Sequence, residues 1–265
     1  MIRDITIGQY YPSNSKLHRL DPRVKIVCTL LYLISLFLFS KFSGYIVATV
    51  FLVAVIRMSK VPFKFICKGL KPIIMLLMIT VLFNLFLTNT GNVIFSFWVL
   101  KVTDDGLRTA IFMTIRLIYL ILGSSLMTFT TTPNALTDGI ESLLWPLHKI
   151  KVPVHEIAMM MSIALRFIPI LLEETDKIMK AQIARGADLE SGNIIQKAKA
   201  MVPILVPLFV SAFRRANDLA MAMEARCYRG GEGRTKMKPL VYKKNDYVAY
   251  LITIIYVVAA VAIGI

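Results

Sequence analysis

The sequence predicts an all-α membrane protein with about five transmembrane helices and a cytoplasmic region built on two long helices. Three observations predict it. Hydrophobic residues make up 57% of the 265 and the mean hydropathy is +0.67, above the roughly 45–50% apolar content of soluble domains. These residues come in long runs, as membrane spans do. The formal charge of +15 falls between the runs rather than along them, as the positive-inside bias of membrane proteins requires. That bias accounts for the basic balance without nucleic acid.

Residues 1–20 are polar and aromatic and lack a basic segment followed by an apolar core, so they do not read as a cleavable signal peptide. Asp21 suits a helix N-cap and Pro22 the first helical position. Arg19, Arg23 and Lys25 then read as charges at the membrane surface. Residues 26–56 are apolar except for Lys41. A single helix of that length would span about 46 Å, well beyond the ~30 Å hydrocarbon core. Basic residues flank both ends (Arg23 and Lys25; Arg57 and Lys60), so the run reads as a two-span hairpin turning at 41–44.

Residues 61–71 form a short basic amphipathic stretch suited to the interface. A third span runs from Leu70 or Pro72 to Leu87, and residues 88–92 make a turn. Residues 93–102 are β-branched and read as a strand-like or re-entrant external segment, with Trp98 as an interfacial anchor. Asp104, Asp105 and Gly106 open a fourth span over 107–129. Residues 130–133 end it and cap an amphipathic helix over 134–150, with Leu136, Ile140, Leu143, Leu144 and Leu147 on one side. Residues 247–265 are apolar and uncharged, the last span. The chain thus divides into 1–130 with four spans, a cytoplasmic region 131–245, and a final span 246–265. With the N-terminus inside, the inner segments hold 27 of the 31 Lys and Arg residues, and the C-terminus falls outside.

The cytoplasmic region carries two helices with one plan. From Pro153 to Gly186 an apolar half (157–172), in which Pro169 should introduce a kink, precedes a charged half (173–185). From Ile194 to Arg229 an apolar half containing Pro203 and Pro207 precedes Arg214 and Arg215. Shifted by 41 residues, Asp176 falls on Asn217, Ile178 on Leu219 and Arg185 on Arg226. Both helices end alike, in Ala184-Arg185-Gly186 and in Ala225-Arg226-Cys227-Tyr228-Arg229-Gly230. One such ending has a plain structural explanation: a basic residue opposes the negative helix end and glycine follows it. Its repetition at two exposed tips suits guanidinium recognition of carboxylates on two related partners.

With these motifs and Leu17-His18-Arg19-Leu20-Asp21-Pro22-Arg23, the whole chain resembles the transmembrane T component of energy-coupling factor (ECF) transporters, the CbiQ/EcfT family. These are modular ATP-driven importers of vitamins and metal ions in prokaryotes. The resemblance implies a scaffold in the cell membrane whose two coupling helices cross. Ala184, Arg185, Gly186, Ala225, Arg226, Arg229 and Gly230 would dock two ATP-binding-cassette subunits. A membrane-embedded, substrate-binding S component would sit on the scaffold. Met159, Met160 and Met161 offer an adaptable surface for it.

No enzyme motif competes. Gly230-Gly231-Glu232-Gly233 is not a P-loop, so ATP would be bound by the partners, and no other cofactor is implied. His155-Glu156 has no second histidine at zinc-protease spacing. Cys28, Cys67 and Cys227 form no ligand pair. A self-contained channel or secondary transporter is the alternative, but few polar groups lie in the spans. Arg116 is one, and it reads as a structural pair, with Asn84 as its candidate partner. Arg166 reads as a partner of Glu173 or Glu174, or as facing lipid phosphate. An ordinary ABC permease would carry one short coupling helix per subunit, not two long ones.

Overall fold

A computed structural model describes residues 10–39, 41–70, 73–87, 93–97, 100–188, 193–231 and 237–264. The chain forms two compact units, one of Gly8–Ser142 with Leu240–Ile265 and the other built on Leu143–Pro239.

The first unit begins with α1 (Pro22–Phe37). It starts where expected: the Asp21 carboxylate accepts from the Arg23 amide at 2.9 Å, and Pro22 needs no amide partner. The chain breaks near Lys41 and α2 (Phe42–Ser59) follows, so the long apolar run divides into two helices where expected. Next come α3 (Phe63–Leu70), the short amphipathic stretch, and α4 (Ile74–Leu87). Strands β1 (Val93–Phe97) and β2 (Leu100–Thr103) form an antiparallel hairpin pairing Phe97 with Leu100, so the strand-like reading of this segment holds. The turn expected at 88–92 and Trp98 lie outside the described residues. Helix α5 (Asp104–Thr130) begins three residues before the expected span, because the Thr103 hydroxyl accepts from the Gly106 amide and caps it.

Helix α5 packs against α1, α2, α3 and α4, while α9 (Lys244–Gly264) packs on α1 and α2. The α2–α9 seam uses small residues that let backbones approach, as in membrane helix pairs. Gly44 and Ala48 of α2 and Ala260 and Gly264 of α9 are all buried. The Lys41 amide donates to the Gly264 carbonyl at 3.0 Å, and Ser43 Oγ to the Ile263 carbonyl at 2.7 Å. Tyr32, Leu36, Tyr45, Leu52, Leu126, Phe129 and Tyr256 form the core. Phe51 and Tyr256 stack at 4.2 Å, and the Tyr256 hydroxyl pairs with Ser35. The outer faces are apolar: Ile34, Val50, Met75, Phe83 and Val258 are exposed, an arrangement suited to lipid.

Among the described residues five helices are long and apolar enough to cross a membrane: α2, α5, α9 and the two long helices of the second unit, α7 (Val154–Ala184) and α8 (Ile194–Ala225). Helices α1 and α4, expected to be spans, have 16 and 14 residues, about 24 and 21 Å against a ~30 Å core.

Four expectations change. Lys25 is buried, not at the surface, with Nζ donating to the carbonyls of Thr130 (2.8 Å) and His18 (3.2 Å). Arg23 makes a two-pronged pair with Asp21 and lies 3.9 Å over the Tyr242 ring. Arg116 bonds to the Tyr45 hydroxyl at 3.1 Å and the Phe39 carbonyl at 3.2 Å, whereas Asn84 bonds within α4 to the Thr80 carbonyl. The amphipathic helix stops as α6 (Pro133–Leu144), followed by a 3-10 segment, Trp145–Ile150. Its apolar Ile140 and Leu144 face outward, while Thr137, Gly139 and Glu141 are buried.

Candidate functional site: two matched helix tips

Helix α7 runs unbroken through Pro169 to Ala184. Arg185 is its C-cap and Gly186 follows at φ +87°. The Gly186 amide donates to the Ile183 carbonyl at 2.9 Å and the Ala187 amide to the Gln182 carbonyl at 3.0 Å. These two bonds define a Schellman ending, which satisfies carbonyls that the helix leaves unpaired. A left-handed residue is required at that step, and glycine adopts it without a Cβ penalty.

The second tip is built the same way, with one substitution. Arg226 is the C-cap of α8, the Cys227 amide donates to the Glu224 carbonyl at 2.8 Å, and the Tyr228 amide to the Met223 carbonyl at 3.0 Å. The left-handed residue is therefore Cys227, at φ +56°. Gly230 is also left-handed, at φ +90°, but three residues further on; it is not the helix-ending glycine that the sequence suggested. Ala184, Arg185, Gly186, Ala225, Arg226 and Arg229 are exposed and Gly230 is half-buried. The cap geometry fixes where each arginine leaves its helix and keeps both guanidinium groups in solvent.

The two helices pack antiparallel. Glu174 accepts from Arg215 and from Ser211, both at 2.6 Å, and Gln182 Nε2 donates to the Pro203 carbonyl at 3.3 Å. Glu174 and Arg215 are themselves 41 apart, the offset that superposes Arg185 on Arg226. Equivalent positions of the repeat thus meet at the centre of the pair, as at a two-fold axis. A groove of about 270 Å³ beside the central pair is lined by Met223, Leu219, Ile163 and Phe167. Each arginine lies eleven residues beyond this centre, in opposite directions. The tips therefore stand up to about 33 Å apart along the axes, at 1.5 Å per residue.

Glu174 is committed to Arg215, so it is not the partner of Arg166 that the sequence suggested. This central pair was missed in the sequence, although the offset of 41 already superposed its members. Of the methionines on α7, Met160 and Met161 are exposed and Met159 is half-buried. Among the described residues no three His, Cys, Asp or Glu side chains gather as a metal site.

The amino-terminal motif has a separate, architectural part. The Asp246 carboxylate is buried and accepts from the Asp21 amide at 2.9 Å and the Lys243 amide at 2.6 Å, joining the starts of α1 and α9. His18 Nε2 lies 2.9 Å from the Tyr11 carbonyl and Nδ1 2.7 Å from Ser15 Oγ. The neutral ring with its proton on Nε2 satisfies both contacts. Burial pushes the His18 pKa below its ordinary value, and the nearby Lys25 charge works in the same direction.

The chain is similar to known proteins over most of its length. The family described as cobalt transport protein, CbiQ, matches residues 13–237. A Clostridium kluyveri protein named energy-coupling factor transporter transmembrane protein EcfT is 60% identical over 258 residues, covering 97% of this chain and 96% of its own. Proteins of the same name from Bacillus subtilis and Lactococcus lactis are 52% and 44% identical; the matches cover 93% of both chains in the first case and 92% in the second.

Proposed function

The chain belongs to the CbiQ/EcfT family of energy-coupling factor transporter transmembrane proteins, and from that premise we propose that it is the mechanical coupling scaffold of an ATP-driven importer. It is a multi-pass membrane component of a transporter, not a catalytic subunit. In this reading Arg185 docks one ATP-binding-cassette subunit, and Arg226 with Arg229 docks a second. Each guanidinium meets a partner carboxylate, where paired hydrogen bonds give direction as well as attraction. The apolar half of α7, with Met160 and Met161, faces a membrane-embedded S component that carries the substrate. Approach and separation of the ATPases move the tips, and the antiparallel pair passes that motion to the S component. ATP is bound by the partners. The basic bias of the loops supports a cytoplasmic N-terminus and an extracytoplasmic C-terminus.

The observation that carries this reading is the matched pair of arginine C-caps at opposite ends of one antiparallel helix pair. The two tips are built alike and aimed apart, so they suit two related docking grooves. The charged halves of α7 and α8, with Glu173, Glu174, Asp176, Lys177 and Lys180 on the first, are costly inside a bilayer and favour a cytoplasmic place for the pair. A channel fits less well: Arg116 is held by Tyr45 and Phe39 inside the bundle and does not line a conducting path.

The test is the double variant Arg185→Glu with Arg226→Glu, expressed with its natural partners. Gentle detergent extraction and identification of co-purifying subunits should show loss of the ATPases with the S component retained. Uptake by cells should stop while the protein remains in the membrane. A double variant that still assembles and transports would refute tip docking.

A further inference from the structure

The membrane-embedded unit has a half-open cleft of about 400 Å³ between α1, α2, α5, α9 and the segment before α1. Its walls are mostly carbon: Leu20, Val24, Phe51, Leu52, Leu126 and Ile252. Its depth follows from the helices. On α1 it reaches from Val24 to Tyr32, and on α9 from Asn245 to Thr253, about 12 Å at the helical rise. One end therefore lies at the level where the spans begin and the other toward mid-membrane. A protein interior is close-packed, with few spaces larger than a water molecule. A space of this size and lining matches a ligand pocket for an apolar molecule.

The polar end has a definite charge. Lys16, Lys25, Thr130 and Asn245 line it. The Lys25 ammonium has three donors, and two are spent on the carbonyls of His18 and Thr130. The neighbouring carboxylates are committed elsewhere: Asp21 to Arg23, and Asp246 to two backbone amides. One donor of Lys25 remains for a ligand, with the Lys16 charge on the same rim. An apolar shaft capped by ammonium groups at the start of the spans is the complement of an amphiphile with a negative head.

We propose that this cleft is a binding site for one anionic phospholipid, with an acyl chain between α1, α2, α5 and α9 and its phosphate held by Lys25 and Lys16. The lipid would stitch α9, the last helix of the chain, to the first hairpin. This site is independent of the helix tips, so its test does not depend on tip docking.

The experiment is native mass spectrometry of the full-length protein, delipidated in mild detergent and titrated with phosphatidylglycerol or phosphatidylcholine of identical chains. One phosphatidylglycerol should be retained, preferred over phosphatidylcholine by about tenfold: both carry the phosphate, but the choline ammonium cancels its charge and is repelled by Lys16 and Lys25. Lys16→Gln, at an exposed position, should reduce the preference, and Lys25→Met should bring it within about twofold. Should Lys25→Met fail to fold, Ala249→Phe tests the site without touching the lysines, by filling the cleft from α9; it should abolish the bound lipid. Equal retention of both lipids overturns the role of the charged end. Retention by Ala249→Phe at wild-type strength, or binding of free oleate with no phospholipid, overturns the site itself.

Discussion

Exchanging the left-handed residues of the two helix tips provides a direct measure of how the tips are held. Gly186 at φ +87° has nothing within 4 Å of where a Cβ would stand, so Gly186→Ala meets no steric neighbour and its cost is purely conformational. A left-handed non-glycine residue costs about 1–2 kcal/mol, and replacing glycine returns about 0.4–1 kcal/mol through the unfolded chain. The net loss for the α7 ending is about 0.5–1 kcal/mol. Cys227 already bears the same cost at φ +56°, so Cys227→Gly should stabilise the α8 ending by a similar amount. Hydrogen exchange of peptides covering the last turns reads this directly. Protection of Gly186 and Ala187 should fall about two- to fivefold in the first variant, and that of Cys227 and Tyr228 should rise by the same factor in the second. ATPase retention in a pull-down should follow in the same order, since a frayed cap no longer aims its arginine. Opposite signs in the two variants are the essential outcome. Equal or absent effects would mean that the Schellman bonds do not hold the tips.

Two further predictions concern the membrane-embedded unit. Gly44→Ala would put a methyl group 2.9 Å from Phe39 Cγ and 3.0 Å from the Gly264 Cα; because the latter is backbone, α2 and α9 must separate, lowering stability by about 1 kcal/mol or more. The thermal midpoint in detergent checks this, with Ser124→Ala on an exposed face as the control that should not move. Since its native pKa is lowered, His18 stabilises fully above its ordinary value, about 6.5, and the stability is lost as pH falls from there through the native value. The midpoint of the parent protein should therefore drop more between pH 7 and pH 5 than that of His18→Gln, and parallel curves would exclude His18 as the cause.

Much of the architecture was legible because it rests on local chemistry. Asp21-Pro22 marks a helix start through one carboxylate and one missing amide, and the structure begins α1 there. The break at Lys41 follows from a run too long for one span and basic at both ends. The equivalence of Arg185 and Arg226 was visible as a fixed offset, and both became C-caps. Near misses arose where two local signals competed. Gly230 looked like the terminator of α8, but the hydrogen bonds placed that role on Cys227, where no glycine advertised it. The amphipathic pattern over 134–150 looked like one helix, but α6 ends at Leu144 and a 3-10 segment follows.

The sequence by itself determined the element types, their order, the membrane character and the two arginine tips, because each depends on periodicity, capping residues or charge within a few turns. Tertiary structure alone decided which distant groups meet. Asp246 reaches the amide of Asp21 across 225 positions, Arg116 chooses Tyr45 over Asn84, and Glu174 chooses Arg215 over Arg166. It also decided that Lys25 turns inward to the end of an apolar cleft. The physical reason is one of range. A helix satisfies its own backbone, so its position is written locally; a polar side chain in apolar surroundings must find a partner in space, and which partner is within reach depends on how the helices pack.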